Sequence, residues 1–253
     1  MTRPAAAAAT TVDPQEIRRF AALAEDWWSP EGRFRALHAL NPVRLRFIRD
    51  RAVLRLGRDG SGRTPLAGLD ALDIGCGGGL LAEPLRRMGA RVTGLDADAE
   101  GLAVARRHAE ENGLEIDYRL GSAEELAAAG AEFDLVLAME IVEHVADREA
   151  FLAACAALTR PGGLLVAATL NRTAKAFALA VVGAEYVLGW VPRGTHDWRK
   201  FVRPSELASG LRRNGLEVDA LTGLAYDPIA GAWRLSRDLA VNYMLAATKP
   251  PEP

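Results

Sequence analysis

The stretch "LDIGCGGGLL", Leu72–Leu81, carries four glycines within five residues, directly after a short apolar run. A strand that ends in such a cluster and leads into a helix can turn tightly. Its backbone can also approach a ligand without obstruction by side chains. The stretch therefore predicts a ligand-binding loop between the first strand and the first helix of an α/β domain.

From Leu69 onward, short β-rich apolar runs alternate with amphipathic helices. The predicted strands are "LDALDI", "RVTGLD", "IDYRL", "FDLVLAM", "GGLLVAAT", "GLEVDALTG" and "NYMLAAT". This alternation is typical of a doubly wound, mostly parallel sheet, which binds ligands beyond the carboxyl ends of its strands. We therefore predict the α/β class with a seven-stranded sheet, in which the final strands run antiparallel.

Other segments flank or interrupt this sheet. The first predicted helix has Asp13 as its N-cap, Pro14 at its first position and Glu16 two residues later. A second helix is predicted to begin at Asn41-Pro42. The resulting organisation is a disordered tail at 1–12, N-terminal helices over the site at 13–56, a linker at 57–68, and the main domain at 69–250 with an insertion at 172–200 after the fifth strand.

Asp96 ends the second predicted strand, about 20 residues after the glycine loop, where a carboxylate can accept hydrogen bonds from ribose hydroxyls. This geometry suits NAD and S-adenosylmethionine equally well. A dinucleotide loop, however, requires a small residue at the position that Leu80 occupies. An NAD-dependent oxidoreductase therefore remains only a disfavoured alternative.

The glycine loop and Asp96, together with "GSAEEL", "FDLVLAM" and "RPGGLLV", resemble the class I S-adenosylmethionine-dependent methyltransferases. Further segments narrow the resemblance to the ubiquinone-biosynthesis O-methyltransferases: "WWSPEGRFRALHALNPVRLRFI", "AMEIVEHVAD", "TLNRT", "AVVGAEYVLGWVPRGTHDWRKF" and "VNYML". These segments spread over nearly the whole chain, from about Val12 to Ala247.

The resemblance implies a Rossmann-like fold and methyl transfer to catechol-type hydroxyls of polyprenylated phenol or quinol rings. It also implies association with other enzymes of the ubiquinone pathway as a further partner interaction. The cofactor contacts carried over from the family, with the adjoining positions of the glycine-loop motif, are Arg44, Asp73, Gly75, Gly77, Asp96 and Met139.

The stretch "AMEIVEH", Ala138–His144, raises a separate question about the chemistry. A phenol has a pKa near 10, so a group is needed that accepts its proton, and His144 with Glu143 is the first candidate. In the second reading, Glu140, Glu143 and His144 lie on one helical turn and hold a Mg²⁺ ion that lowers the pKa of a bound catechol. His196 is a further candidate active-site residue.

The insertion 172–200 combines an apolar centre with aromatic residues and an excess of basic residues. This composition predicts an element that contacts an anionic membrane surface, or a lid over the site. The formal net charge of −2 predicts no nucleic-acid partner. The chain has only two cysteines, Cys76 and Cys155, which predicts a reducing cytoplasm. With the insertion, this predicts a cytoplasmic protein that attaches peripherally to the inner face of the membrane.

Two further alternatives follow from the same residues. The acceptor could be another small hydroxylated compound, because the sequence features that bind the cofactor do not define the acceptor. Alternatively, the chain could be a non-catalytic, membrane-associated scaffold that retains a nucleotide-binding fold.

Overall fold

The computed structural model describes residues 11–179, 197–227 and 230–251. Within these ranges, eight strands form one sheet in the order β3-β2-β1-β4-β5-β8-β6-β7. The strands are β1 Asp70–Ile74, β2 Arg91–Asp96, β3 Asp117–Leu120, β4 Phe133–Met139, β5 Thr159–Leu170, β6 Glu217–Asp227, β7 Ala232–Ser236 and β8 Asn242–Thr248. The helices are α1 Pro14–Ala21, α2 Arg35–Arg55, α3 Ala82–Arg87, α4 Ala99–Glu111, α5 Ala123–Ala128, α6 Arg148–Leu158, the single turn α7 Ala174–Ala176, and α8 Pro204–Arg213.

The first five strands pair in parallel, and β8 enters antiparallel between β5 and β6. The predicted fold class and the antiparallel final strands are therefore confirmed. The eighth strand, β7, was not predicted. It forms a hairpin with β6, in which the rings of Tyr226 and Trp233 lie 5.6 Å apart and contribute a cross-strand aromatic pair.

Alternate residues of the central strands pack into cores on opposite faces of the sheet. Leu135 and Leu137 of β4 contact the layer formed by α2, α3 and α4. Val136 and Ala138 contact the opposite layer, formed by α5, α6 and α8. The N-terminal helix α2 therefore shares its core with one face of the sheet.

Two helix boundaries differ from the prediction. Helix α2 begins at Arg35, and Pro42 lies in its interior. The burial of Leu40, Val43 and Phe47 against the sheet compensates for the backbone hydrogen bond that the proline removes. Helix α1 ends at Ala21, and a 3-10 turn at Ala24–Asp26 precedes the tryptophans of the N-terminal segment.

The predicted organisation into a tail, N-terminal helices, a linker, a main domain and an insertion stays a prediction. Residues 180–196 of the insertion, including His196, lie outside the described residues. No helix in the described part of the chain is long and apolar enough to cross a bilayer.

Leu72 is completely buried in the central strand β1, so we expect Leu72→Ala to lower the free energy of unfolding by about 2–5 kcal/mol. The matched control is Leu54→Ala on α2, where the leucine is 59% exposed and the change should stay within about 0.5 kcal/mol. Urea unfolding followed by circular dichroism measures both values. Equal losses in the two variants would contradict the assignment of the core.

Candidate active site

The glycine loop follows β1 as predicted. Gly75, Gly77 and Gly79 have φ values of 73°, 49° and 86°, in the left-handed region that favours glycine. A Cβ atom at Gly77 or Gly78 would lie 2.3 or 2.4 Å from the Trp27 side chain. The loop therefore requires glycines for two reasons, its left-handed backbone conformation and the close approach of Trp27.

Asp96, at the end of β2, lies beside this loop. Its two carboxylate oxygens accept hydrogen bonds from the backbone N–H groups of Gly77 and Asp98, both at 2.8 Å. Burial raises the pKa of Asp96, and these two N–H groups oppose the increase. Asp73 of β1 is also buried, and burial together with the nearby charge of Asp96 raises its pKa to about 7.

A cavity of about 250 Å³ lies beyond the carboxyl ends of β1, β2 and β4. It brings together all of the sequence-predicted site residues outside 180–196, including Met139, which ends β4. Its lining includes Arg44, Asp73, Gly75, Gly77, Asp96, Met139, Glu140, Glu143 and His144. Trp27 and Phe34 of the N-terminal segment, whose rings stack 3.7 Å apart, contribute to its wall.

Arg44 is almost completely buried on α2, and its Nη2 atom pairs with the carboxylate of Glu140. Glu140 follows β4 directly and has a φ of 55°, which is unusual for a residue other than glycine. The carboxylate of Glu140 thereby faces the N-terminal helices. Arg44 thus lines the cavity, and its predicted contact with the cofactor stays a prediction.

Glu143 and His144 also line the cavity. Thr169 of β5 donates a hydrogen bond from Oγ1 to Oε2 of Glu143 at 2.7 Å. Burial raises the pKa of Glu143 to about 7, and the charge of Glu140 adds to the increase. Burial opposes protonation of His144, but the carboxylates of Glu16 and Glu143 outweigh this effect, so the pKa of His144 is also raised.

Sequence reasoning missed the role of Glu16 in this site. Its Oε2 lies 3.2 Å from Nδ1 of His144, and its Oε1 lies 3.3 Å from Nζ of Lys200. The contact with His144, followed by that with Lys200, lowers the pKa of Glu16 to about 2. The sequence indicated only that Glu16 occupies the first turn of α1, because pairing over this chain distance leaves no local signal.

The predicted metal site is not formed. Among residues 11–179, 197–227 and 230–251, no three His, Cys, Asp or Glu side chains are placed to hold a metal ion. Residues 140–144 form turns instead of one helical turn. The side chains of Glu140, Glu143 and His144 consequently have different partners, which are Arg44, Thr169 and Glu16.

Several buried polar atoms around the cavity have no hydrogen-bond partner among the described residues. They include Nε1 of Trp27, Oδ1 of Asn41 and Nε of Arg44. Buried polar groups are nearly always paired in folded proteins, so unpaired ones around a single cavity indicate a polar ligand. The glycine loop, Asp96 and these atoms together fit an adenosine cofactor that carries a polar chain.

Comparison with known proteins agrees with this site. A family model described as "Methyltransferase domain" matches residues 72–167. The fold is similar to magnesium protoporphyrin IX methyltransferase from Synechocystis PCC 6803 with bound SAH, with a TM-score of 0.61 at 20% identity over 93% of both chains. A methyltransferase from Thermotoga maritima aligns with a TM-score of 0.62 at 17% identity over 93% of this chain and 98% of its own. Fold and site define a class I S-adenosylmethionine-dependent methyltransferase.

Curated relatives narrow this class. A ubiquinone biosynthesis O-methyltransferase from Methylobacterium sp. (strain 4-46) is 56% identical over 95% of this chain and 96% of its own length. Another from Caulobacter sp. (strain K31) is 53% identical over 98% of this chain and 100% of its own. The chain belongs to the family of ubiquinone biosynthesis O-methyltransferases. The predicted enzyme class and cofactor are thereby confirmed, and the oxidoreductase and scaffold alternatives are set aside.

The raised pKa of Asp73 predicts pH-dependent cofactor binding. Below about pH 7 its buried carboxyl is neutral, and above that pH it is ionised and would attract a cationic group of a bound cofactor. We therefore expect the affinity for S-adenosylhomocysteine to rise between pH 6 and pH 8, by up to about tenfold per pH unit below the pKa. Calorimetric titration at pH 6, 7 and 8 measures this rise.

Asp73→Asn is the matched variant for this experiment, because it keeps the size of the side chain and cannot ionise. Its affinity should be lower at pH 8 and nearly independent of pH. An undiminished pH dependence in this variant would assign the effect to another group, of which Asp96 is the nearest with a raised pKa.

Proposed function

We propose that the protein transfers a methyl group from S-adenosylmethionine to a catechol-type hydroxyl of a polyprenylated phenol or quinol, a step of ubiquinone biosynthesis. The observation that carries this proposal is one cavity that is lined by Gly75, Asp96 and Met139 and also by Glu143 and His144. A donor bound at the first three residues would have its methyl group in the same cavity as the two titratable side chains. The names of the relatives supply the substrate class.

The bound cofactor supplies an already activated methyl group on a sulfonium centre, so the chain has to orient the acceptor oxygen and remove its proton. In this proposal, Asp96 accepts hydrogen bonds from the ribose hydroxyls of the cofactor, and Arg44 faces its carboxylate. Met139 borders the methyl group. The glycine loop, with Gly75 and Gly77, lets the cofactor approach the backbone closely.

His144 is proposed as the group that takes the phenolic proton. Its Nδ1 atom faces the carboxylate of Glu16, which favours the tautomer that carries a proton on Nδ1 and leaves Nε2 as the base. The rings of Phe20 and His144 pack edge to face, with centroids 5.4 Å apart. Glu143 stabilises the imidazolium that forms.

The three predicted metal ligands do not converge, so no step is assigned to Mg²⁺. The proposal therefore predicts methyl transfer to a short-chain demethylated ubiquinol analogue, with turnover that persists in EDTA. Transfer of the labelled methyl group from S-adenosylmethionine measures it. Loss of turnover in EDTA that Mg²⁺ restores would contradict the metal-free assignment, and transfer only to small hydroxylated compounds would contradict the polyprenylated acceptor.

We expect His144→Gln to lower kcat by about 10²–10⁴-fold, the range for loss of a general base, with little change in the affinity for S-adenosylhomocysteine. His108→Gln is the matched control, because His108 does not line this cavity and pairs with Glu83 at 2.6 Å. Comparison of kcat at saturating acceptor measures the effect. Equal activity of the two variants would remove His144 from the mechanism.

We also propose that the segment 172–200 contacts an anionic membrane surface at the cytoplasmic face, where a polyprenylated acceptor resides. Among the described residues of this segment, Phe177, Leu179 and Trp198 are exposed apolar side chains, with Lys175 and Arg199 nearby in the chain. Exposed aromatics beside cations suit the interface of a bilayer. A lid over the acceptor is the second role that the composition of the segment allows, and association with other enzymes of the pathway remains part of the proposal.

Charge reversal tests the membrane contact. The triple variant Lys175→Glu, Arg193→Glu, Arg199→Glu should weaken binding to anionic vesicles by roughly a hundredfold, since each basic residue near such a surface contributes about 1 kcal/mol. The control variant Arg46→Glu, Arg63→Glu, Arg212→Glu reverses three exposed arginines outside the segment. Co-sedimentation measures both. Equally weakened vesicle binding in the two triple variants would indicate only a general effect of net charge.

A further inference from the structure

Asn41 has an unusual environment on helix α2. It is only 7% exposed and lines the active-site cavity as well as a neighbouring one between α2, α3 and α4. Its Oδ1 atom is buried and has no hydrogen-bond partner among the described residues. A carbonyl oxygen in this position requires a donor, and a ligand in the active-site cavity can supply one.

Arg44 lies three residues later on the same helix, so both side chains project from one face of α2. Arg44 is also buried in the cavity wall, and its Nε atom has no partner within the described residues. The two side chains therefore present one acceptor and one cationic donor next to each other. An α-amino acid group, with its ammonium and its carboxylate, complements this pair.

Only one of the two substrates carries such a group. S-adenosylmethionine ends in an ammonium and a carboxylate, whereas a polyprenylated phenol has no anionic group to match a guanidinium. Asp73 lines the same cavity, and an ammonium has three N–H donors, so Asp73 and Asn41 can both accept from it. The chemistry of the pair therefore favours the cofactor over the acceptor.

We propose that the side-chain carbonyl oxygen of Asn41 accepts a hydrogen bond from the α-ammonium group of S-adenosylmethionine and forms, with Arg44, the recognition pair for the amino acid end of the cofactor. This inference rests on the proposed function, because it takes that function's donor as the ligand. In this arrangement, Asn41 and Arg44 of helix α2 bind the amino acid end of the cofactor together with Asp73 of β1.

The test compares two ligands that differ only at this end. S-adenosylhomocysteine carries the amino acid group, and 5′-methylthioadenosine has the same nucleoside and sulfur without it. Asn41→Leu removes the acceptor and keeps most of the volume. Since hydrogen bonds to charged groups are the stronger ones, we expect this variant to bind S-adenosylhomocysteine about tenfold more weakly, with unchanged affinity for 5′-methylthioadenosine.

Asn214→Leu, at the end of α8 and outside the cavity lining, is the matched control and should bind both ligands as the unaltered protein does. Thermal unfolding without ligand adds a second readout. Since Oδ1 of Asn41 is unpaired, its removal should not lower the Tm of the free protein. A purely structural asparagine would lower it.

The outcomes separate the inference from the function on which it rests. If Asn41→Leu weakens both ligands equally, or neither, the proposed contact is wrong. If the free variant has a lower Tm and also binds both ligands equally more weakly, Asn41 has a structural role. If the unaltered protein binds neither ligand, the proposed methyl donor itself is contradicted, independently of Asn41.

Discussion

The close approach of the Trp27 indole to the backbone of Gly77 and Gly78 is the constraint on which the active site depends. Any side chain at these two positions would collide with the indole, and the backbone at Gly77 is in addition left-handed. Trp28 strengthens the contact, because its Nε1 donates a hydrogen bond to the carbonyl oxygen of Gly78 at 2.8 Å. The glycines at these positions thus allow the N-terminal segment to pack against the loop, as well as a ligand to approach it.

This contact determines what the cavity contains. With the N-terminal segment held against the loop, α1 and α2 place Glu16, Asn41 and Arg44 opposite the carboxyl ends of the strands. The sheet contributes acids and backbone groups to the cavity, and the helices contribute a guanidinium and an amide. The site is therefore assembled from two layers, and neither layer alone contains the complete set of polar groups.

Burial makes the acids of the site unusual. Asp73 and Glu143 both have pKa values raised to about 7, because each carboxyl lies in a dry environment near another acid. Near neutral pH, each of these carboxyls can ionise when a cationic ligand binds, or an imidazolium forms, beside it. Glu16 behaves in the opposite way, since His144 and Lys200 keep it ionised.

The fold class, the glycine loop, the position of Asp96 and the cofactor class follow from the sequence, because glycine spacing and strand alternation are local patterns with few physical solutions. Arg44 is named through a family resemblance, and Glu143 and His144 through their chemistry and their position after the fourth predicted strand; all three line the same cavity. The separate partners of Glu140, Glu143 and His144, and the positions of Glu16 and Asn41 in the cavity wall, are visible only in the tertiary structure. These contacts join elements far apart in the chain, and their geometry depends on packing that leaves no periodic signal in the sequence.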